Sequence, residues 1–207
     1  MILVGQYDSP FTRRIAISLM VLGIPFSRDT RSVFGDFDSM FAINPMGRIP
    51  ALVLDDGQVL IESSAILDWI DRSVGPARAL LPAKGPERTR ALQRVALATG
   101  GVEKIGAAAY ERLIRPEAYR WPEWIARCRR QGEGALKALA REDWPADAPF
   151  DQPQISTGCL LSYVRMADPE LMPPGRYPSL DALAARCDAR PEFVATAVTA
   201  YAVPRGE

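Results

Sequence analysis

Histidine is absent from the 207 residues. That excludes a Ser-His-Asp or Cys-His nucleophile pair, a His-ligated zinc or haem, and an imidazole proton shuttle. Cysteine is scarce: Cys128, Cys159 and Cys187 stand 28 or more residues apart, with no C-x-x-C. So odd and sparse a set points to reduced, buried thiols and a cytoplasmic setting. Net charge is lacking too. The chain has 25 Lys and Arg against 25 Asp and Glu, and residues 1–86 carry 8 basic and 9 acidic side chains. Nothing electrostatic argues for nucleic acid or an anionic membrane as partner. Long apolar runs are missing. The stretch from Ile15 to Phe26 is interrupted by Ser18, Gly23 and Pro25 and is roughly half of a bilayer span. Met1 to Gln6 has neither a basic region nor a cleavage site, so it does not read as a signal peptide. What remains, 48% hydrophobic and 24% charged residues, is ordinary folded composition.

Two halves read differently. Ile2-Leu3-Val4-Gly5 is a short buried strand, followed by Phe11, Ile15, Leu19 and Leu22 at helical spacing with Gly23 as the stop. Residues 25–30 form a second strand candidate and 34–43 a short helix, ahead of the turn Asn44-Pro45-Met46-Gly47. Ala51 to Leu54 and Gln58 to Ile61 flank Asp56-Gly57, a hairpin signal, and Ser64 to Arg72 is helical. The order is βαβαββα over residues 1–73. Residues 74–86 hold Gly75, Pro76, Pro82, Gly85 and Pro86, a linker composition. Residues 87–207 show only helices, which makes the chain α+β. One long helix presents Leu92, Val95, Thr99, Val102, Gly106, Tyr110 and Leu113 on one face, and a second spans 118–141. Asp151, three residues before Gln154, caps a third over 155–166. Two shorter helices are expected near 180–188 and 192–200.

Three junctions carry possible chemistry. In Tyr7-Asp8-Ser9-Pro10-Phe11 a strand runs into a helix. Ser9 reads as an N-cap and Pro10 as the first helical residue. The same geometry leaves unpaired N–H groups and about half a positive charge at the helix start, which stabilises a thiolate. A serine hydroxyl can donate its own hydrogen to that sulfur. At Arg48-Ile49-Pro50, Pro50 is either an ordinary strand-start proline or the second partner of a cis bond. A cis bond would let the Ile49 backbone pair with a ligand peptide as an added strand does. At Ile61-Glu62-Ser63-Ser64 the choice is between a plainly capped helix and an anion site. In the second case the Ser63 hydroxyl and helix N-terminus suit a carboxylate, and Glu62 suits an ammonium. Carboxylate and ammonium on one carbon describe an α-amino acid.

The ordered set resembles the cytosolic glutathione transferase family: Ser-Pro-Phe after the first strand, Asn-Pro-x-Gly-Arg-Ile-Pro-Ala-Leu near the middle, and Glu-Ser-Ser-Ala-Ile after a hairpin. A proline-rich linker and a helical half follow. The resemblance implies a thioredoxin-like N-terminal domain that binds glutathione, and an all-helical domain that contributes the electrophile pocket. It implies a homodimer and a detoxifying role. It places Ser9 where serine-type members keep the hydroxyl that meets the glutathione sulfur, with Phe11 beside it. Ile49 would bond the cysteinyl backbone ahead of the cis-proline, Pro50. Arg48 falls where many members have a basic residue near the ligand, and Glu62 and Ser63 match the pair that holds the γ-glutamyl end. No cysteine stands at the Ser9 position, which argues against glutaredoxin-like chemistry. Tyr7 is a rival partner for the sulfur. No metal is implied.

Without histidine, thiol activation has to be electrostatic. Lowering a thiol pKa by two units takes about 2.7 kcal/mol. A charge-assisted hydrogen bond of about 1.5–3 kcal/mol and a helix-terminus contribution of about 0.3–1 kcal/mol suffice. Asp8 would oppose this if it faced the sulfur, so it is expected to point away. For the second substrate, Ala107 and Tyr110 are the candidate pocket residues. Trp121 and Trp124 read as packing residues, and Arg13, Arg14 and the cluster Arg127, Arg129, Arg130 as solvated charge. The rival reading is a scaffold of the same fold that binds glutathione or a protein partner without catalysis.

Overall fold

The computed structural model describes residues 1–198. The chain forms two compact units, Met1–Arg88 with residues 190–198, and Thr89–Ala189.

In the first unit the elements are β1 (Ile2–Val4), α1 (Pro10–Val21), β2 (Ser27–Asp29), α2 (Phe37–Phe41), β3 (Ala51–Val53), β4 (Val59–Ile61) and α3 (Ser63–Val74). This is the βαβαββα order read from the sequence. The strands lie in the order β2-β1-β3-β4, with β1 parallel to β2 and antiparallel to β3, and β3 antiparallel to β4. The hairpin closes where the Gly57 N–H donates to the Leu54 carbonyl at 3.0 Å. Gly57 sits at φ +86°, which an asparagine or glycine tolerates and a branched residue does not. Alternation along the strands gives the sheet two faces. Val4 and Ala51 pack against Met40 of α2, with Ile43, Ile49, Val53 and Ile61 around them. Leu3 and Leu52, fully buried, point the other way. Helix α1 packs on β1, α3 on β4, and the two helices on each other.

The solvated face expected at Arg13 and Arg14 is not there. Both are buried, at 5% and 2% exposure. Arg14 donates to the Ser64 hydroxyl at 3.0 Å. Arg13 donates to the Phe193 carbonyl and the Thr196 hydroxyl at 3.1 and 3.2 Å. A guanidinium leaves solvent when fixed acceptors replace water, and for Arg13 the acceptors come from residues 193 and 196. Helix α8 (Pro191–Ala195) therefore belongs with α1. The helical domain expected over 87–207 yields its residues 190–198 to the first unit, which itself runs to Arg88. Of the helix expected over 192–200, residues 199–200 lie outside the described residues.

The second unit contains most of α4 (Gly85–Leu113), and α5 (Pro122–Leu139), α6 (Gln152–Ala167) and α7 (Pro178–Asp188). The buried face of α4 differs from the expected one. Leu92 and Tyr110 are 41% and 43% exposed, and the buried set is Ala91, Ala98, Gly101, Val102, Ile105, Gly106, Ala108, Ala109 and Glu111. Small residues line it because the helices approach closely: a Cβ on Gly132 of α5 would lie 2.5 Å from Ile105 Cγ1. The helix expected over 118–141 starts later, because Pro122 opens α5 after a 3-10 turn at Glu117–Tyr119. Asp151 caps α6 as expected, accepting from the Gln154 N–H at 3.1 Å.

Candidate functional site

Strand register gathers the three junctions. Val4, the last residue of β1, pairs with Ala51, the first of β3, and Ala51 pairs with Ile61, the last of β4. The segments after β1, before β3 and after β4 thus leave the sheet in one row. Adjacent strands stand about 4.8 Å apart, so the three segments are immediate neighbours at one end of the sheet.

The first is the α1 N-terminus. Ser9 is extended (φ −75°, ψ 113°), Pro10 occupies the first helical turn, and no acidic residue lies in that turn. The Ser9 Oγ accepts from the Thr12 N–H at a long 3.4 Å. Among the described residues no acceptor takes its hydroxyl hydrogen. Ser9, Asp8 and Phe11 are all half-buried. Tyr7 is buried in the same turn, with the Arg28 guanidinium 3.5 Å above its ring and no partner for its hydroxyl. Burial pushes this phenol above its ordinary pKa, against a smaller opposing effect of Arg28.

The second junction has a cis peptide bond at Ile49–Pro50, the sharper of the two sequence readings. The Asn44 amide holds the Arg48 carbonyl at 2.6 Å. Among the described residues, no hydrogen bond engages the Ile49 N–H or carbonyl. The Arg48 side chain is exposed and forms no ion pair among the described residues.

The third is the α3 N-terminus. Glu62 caps it from a left-handed backbone, φ +69°, the one non-glycine residue with positive φ among those described. Its Oε1 accepts from the Ser64 N–H at 3.3 Å and from the Ser63 hydroxyl at 3.4 Å. Left-handed backbone at a non-glycine residue costs of order 1–3 kcal/mol and clusters at ligand sites. Sequence reasoning named Glu62 without foreseeing this conformation.

In the second unit Ala107 is half-buried and Tyr110 is 43% exposed. Gly106 is core, with the Tyr163 hydroxyl 3.1 Å from where its Cβ would be. Trp121 is not a packing residue. It is 60% exposed and stacks on the half-buried Trp124, centroids 6.2 Å apart. Arg127 and Arg130 are exposed as expected. Arg129 instead grips the buried Asp168 with two hydrogen bonds, 2.8 and 3.1 Å, and reaches Glu170 at 2.8 Å. Among the described residues no cluster of three His, Cys, Asp or Glu side chains is placed to hold a metal ion, and no helix is long and apolar enough to cross a membrane.

The model of the glutathione S-transferase N-terminal domain matches residues 3–78. A solved glutathione S-transferase of Methylobacterium radiotolerans, in complex with glutathione sulfonate, superposes with a TM-score of 0.87. It is 31% identical, and the match covers all of this chain and 95% of that one. The chain belongs to the glutathione S-transferase family. Two further relatives agree. A transferase family member of Pseudomonas fluorescens, solved with bound glutathione, is 30% identical with a TM-score of 0.84, over 96% of this chain and 99% of that one. The uncharacterized GST-like protein YibF of Escherichia coli is 30% identical over 66% of this chain and 67% of its own length. The stretch that matches the transferase N-terminal domain contains all three junctions.

Proposed function

We propose that this chain is a glutathione transferase, in which Ser9 and the α1 N-terminus hold the glutathione thiol as thiolate for attack on a small hydrophobic electrophile. The observation that carries the reading is the register by which the segments holding Ser9, Ile49 and Glu62 leave the sheet at one end. A γ-glutamyl-cysteinyl-glycine tripeptide has an α-amino acid at one end, a peptide unit beside it and a thiol beyond. The row offers a partner to each. Glu62 accepts from the ammonium, and the Ser63 hydroxyl, turning away from Glu62 Oε1, meets the α-carboxylate with the α3 N-terminus. The unengaged Ile49 N–H and carbonyl pair with the cysteinyl backbone. The Ser9 hydroxyl, with its hydrogen uncommitted, donates to the sulfur. Arg48 and Phe11 flank this path, the first as an exposed cation for the glycyl carboxylate and the second as apolar cover.

The chemistry needs no proton shuttle. The thiol gives its proton to solvent. The sulfur stays ionised because the Ser9 hydrogen bond and the positive helix end favour the anion. The thiolate then forms the carbon–sulfur bond as the electrophile's leaving group departs or its double bond accepts the electron pair. Ala107 and Tyr110 are the residues we assign to the second substrate. The working form is a cytoplasmic homodimer. Retention on immobilised glutathione, followed by conjugation of a chlorinated dinitrobenzene, tests the reading. Retention with turnover is expected. Retention without turnover would make the chain a binding module, and failure of both would remove the functional assignment while leaving the fold.

A further inference from the structure

We infer that Arg13 is a positioning residue for Ser9, and that the C-terminal segment at residues 190–196 completes the sulfur site by clamping it. The inference rests on Ser9 being the thiolate partner. Its own support is a buried cross-link. Arg13 stands one turn after Ser9, and its N–H donates to the Ser9 carbonyl at 2.9 Å, closing the first turn of α1. Arg13 as a whole is 5% exposed. Nε donates to the Thr196 hydroxyl at 3.2 Å, Nη2 to the Phe193 carbonyl at 3.1 Å, and the Phe193 ring lies 4.9 Å below the guanidinium carbon. Thr196 passes its own hydrogen to the Glu192 carbonyl at 2.8 Å, which turns its lone pair toward Arg13. Thr196 and Phe193 are 0% and 1% exposed.

Among the described residues no carboxylate lies within ion-pair distance of Arg13. The cation is held by neutral acceptors alone, and both are supplied by residues 183 and 180 positions away. A buried guanidinium that loses such acceptors has to move to find others. The backbone atom it would carry along is the N–H that fixes Ser9. The first turn of a helix is where its orphan groups and its electrostatic advantage reside, and it is the part that frays. The clamp therefore sets the direction of the Ser9 hydroxyl. Side chains that stabilise a helix start usually lie beside it in sequence. Here the stabiliser is the other end of the chain.

The test compares pH profiles of kcat/KM for conjugation in wild type, Ser9→Ala, Thr196→Val and the double variant. Thr196→Val keeps the Arg13 charge and removes its acceptor, so a direct charge effect is silent. Arg14 and the Arg190–Glu192 pair, the neighbouring charges on α1 and α8, are untouched. A rise of about half to one unit in the apparent thiol pKa, with a roughly three- to tenfold loss of kcat/KM at neutral pH, is expected for Thr196→Val. KM for glutathione should hold, and Thr196→Ser should restore the profile. In the Ser9→Ala background the same change should add almost nothing. An unmoved profile in Thr196→Val, or full additivity in the double variant, would overturn the clamp while leaving Ser9 in its role. A Ser9→Ala enzyme with an unmoved profile would remove the Ser9 reading and the clamp with it. Should Thr196→Val fail to fold, Arg13→Lys, which keeps the charge and loses the two-pronged grip, carries the same comparison.

Discussion

Two helices start at the same end of the sheet, and their starts are built oppositely. Helix α1 begins with a hydroxyl cap in relaxed extended backbone, followed by proline, with no acid in its first turn. Helix α3 begins with a carboxylate cap in left-handed backbone. A neutral cap leaves the positive end of α1 for an anion from outside, whereas a carboxylate cap partly neutralises the end of α3 and presents negative charge to a cation. The difference fits a ligand with a soft anion at one end and an ammonium at the other. It teaches that the same backbone device, a row of N–H groups at a helix start, is tuned by the one side chain that caps it.

Breaking the neutral cap should have the largest effect. Ser9→Ala is expected to lower kcat/KM by roughly ten- to hundredfold, the worth of a charge-assisted hydrogen bond, with glutathione binding less affected. Steady-state kinetics over pH measure it. Breaking the carboxylate cap comes next. Glu62→Gly keeps the positive φ without strain and deletes the charge, so KM for glutathione should rise about tenfold while thermal stability holds or improves.

A smaller effect concerns Asp71 of α3, which lies at the other end of that helix. It is buried, accepts from the Leu80 N–H at 2.8 Å and leaves its second oxygen unpartnered. Burial raises its pKa, and the Leu80 and Leu81 N–H groups and Arg88 oppose this more weakly. A raised carboxyl pKa means that the folded chain binds the proton more tightly than the unfolded one. Its contribution to stability is full below the unfolded value of about 3.9 and is lost as pH rises through the folded value. Asp71→Asn should remove that slope from the difference in denaturant stability between pH 4 and neutrality. The smallest effect sharpens the contrast at α1: Tyr7→Phe deletes a buried hydroxyl with no partner. Turnover should be unchanged and stability equal or higher by about 1 kcal/mol, measured by kinetics and thermal unfolding. A large loss of turnover would make Tyr7 the thiolate partner.

The strand and helix order of the first unit was legible because its punctuation is chemical: Ser9-Pro10, Asn44 to Gly47, and Asp56-Gly57 each dictate a local backbone. The three junctions themselves were legible for the same reason. What was not legible depends on distant partners. Arg13 and Arg14 look solvated by residue type, since their acceptors Phe193, Thr196 and Ser64 are invisible to local periodicity. The buried face of α4 departs from the stripe its large residues define, because the close approach of α5 is decided by Gly101 and Gly132. The positive φ of Glu62 has no sequence signal at all, because glycine or asparagine is the usual occupant of that backbone.

The central claim is that the Ser9 hydroxyl keeps a bound sulfur ionised. Ultraviolet titration of the thiolate of glutathione, bound to wild type and to Ser9→Ala, tests it without turnover. The account predicts a bound thiol that ionises well below the free tripeptide in wild type, and a return of about one to two pKa units toward the free value in the variant. Coincident titration curves for the two proteins would contradict it.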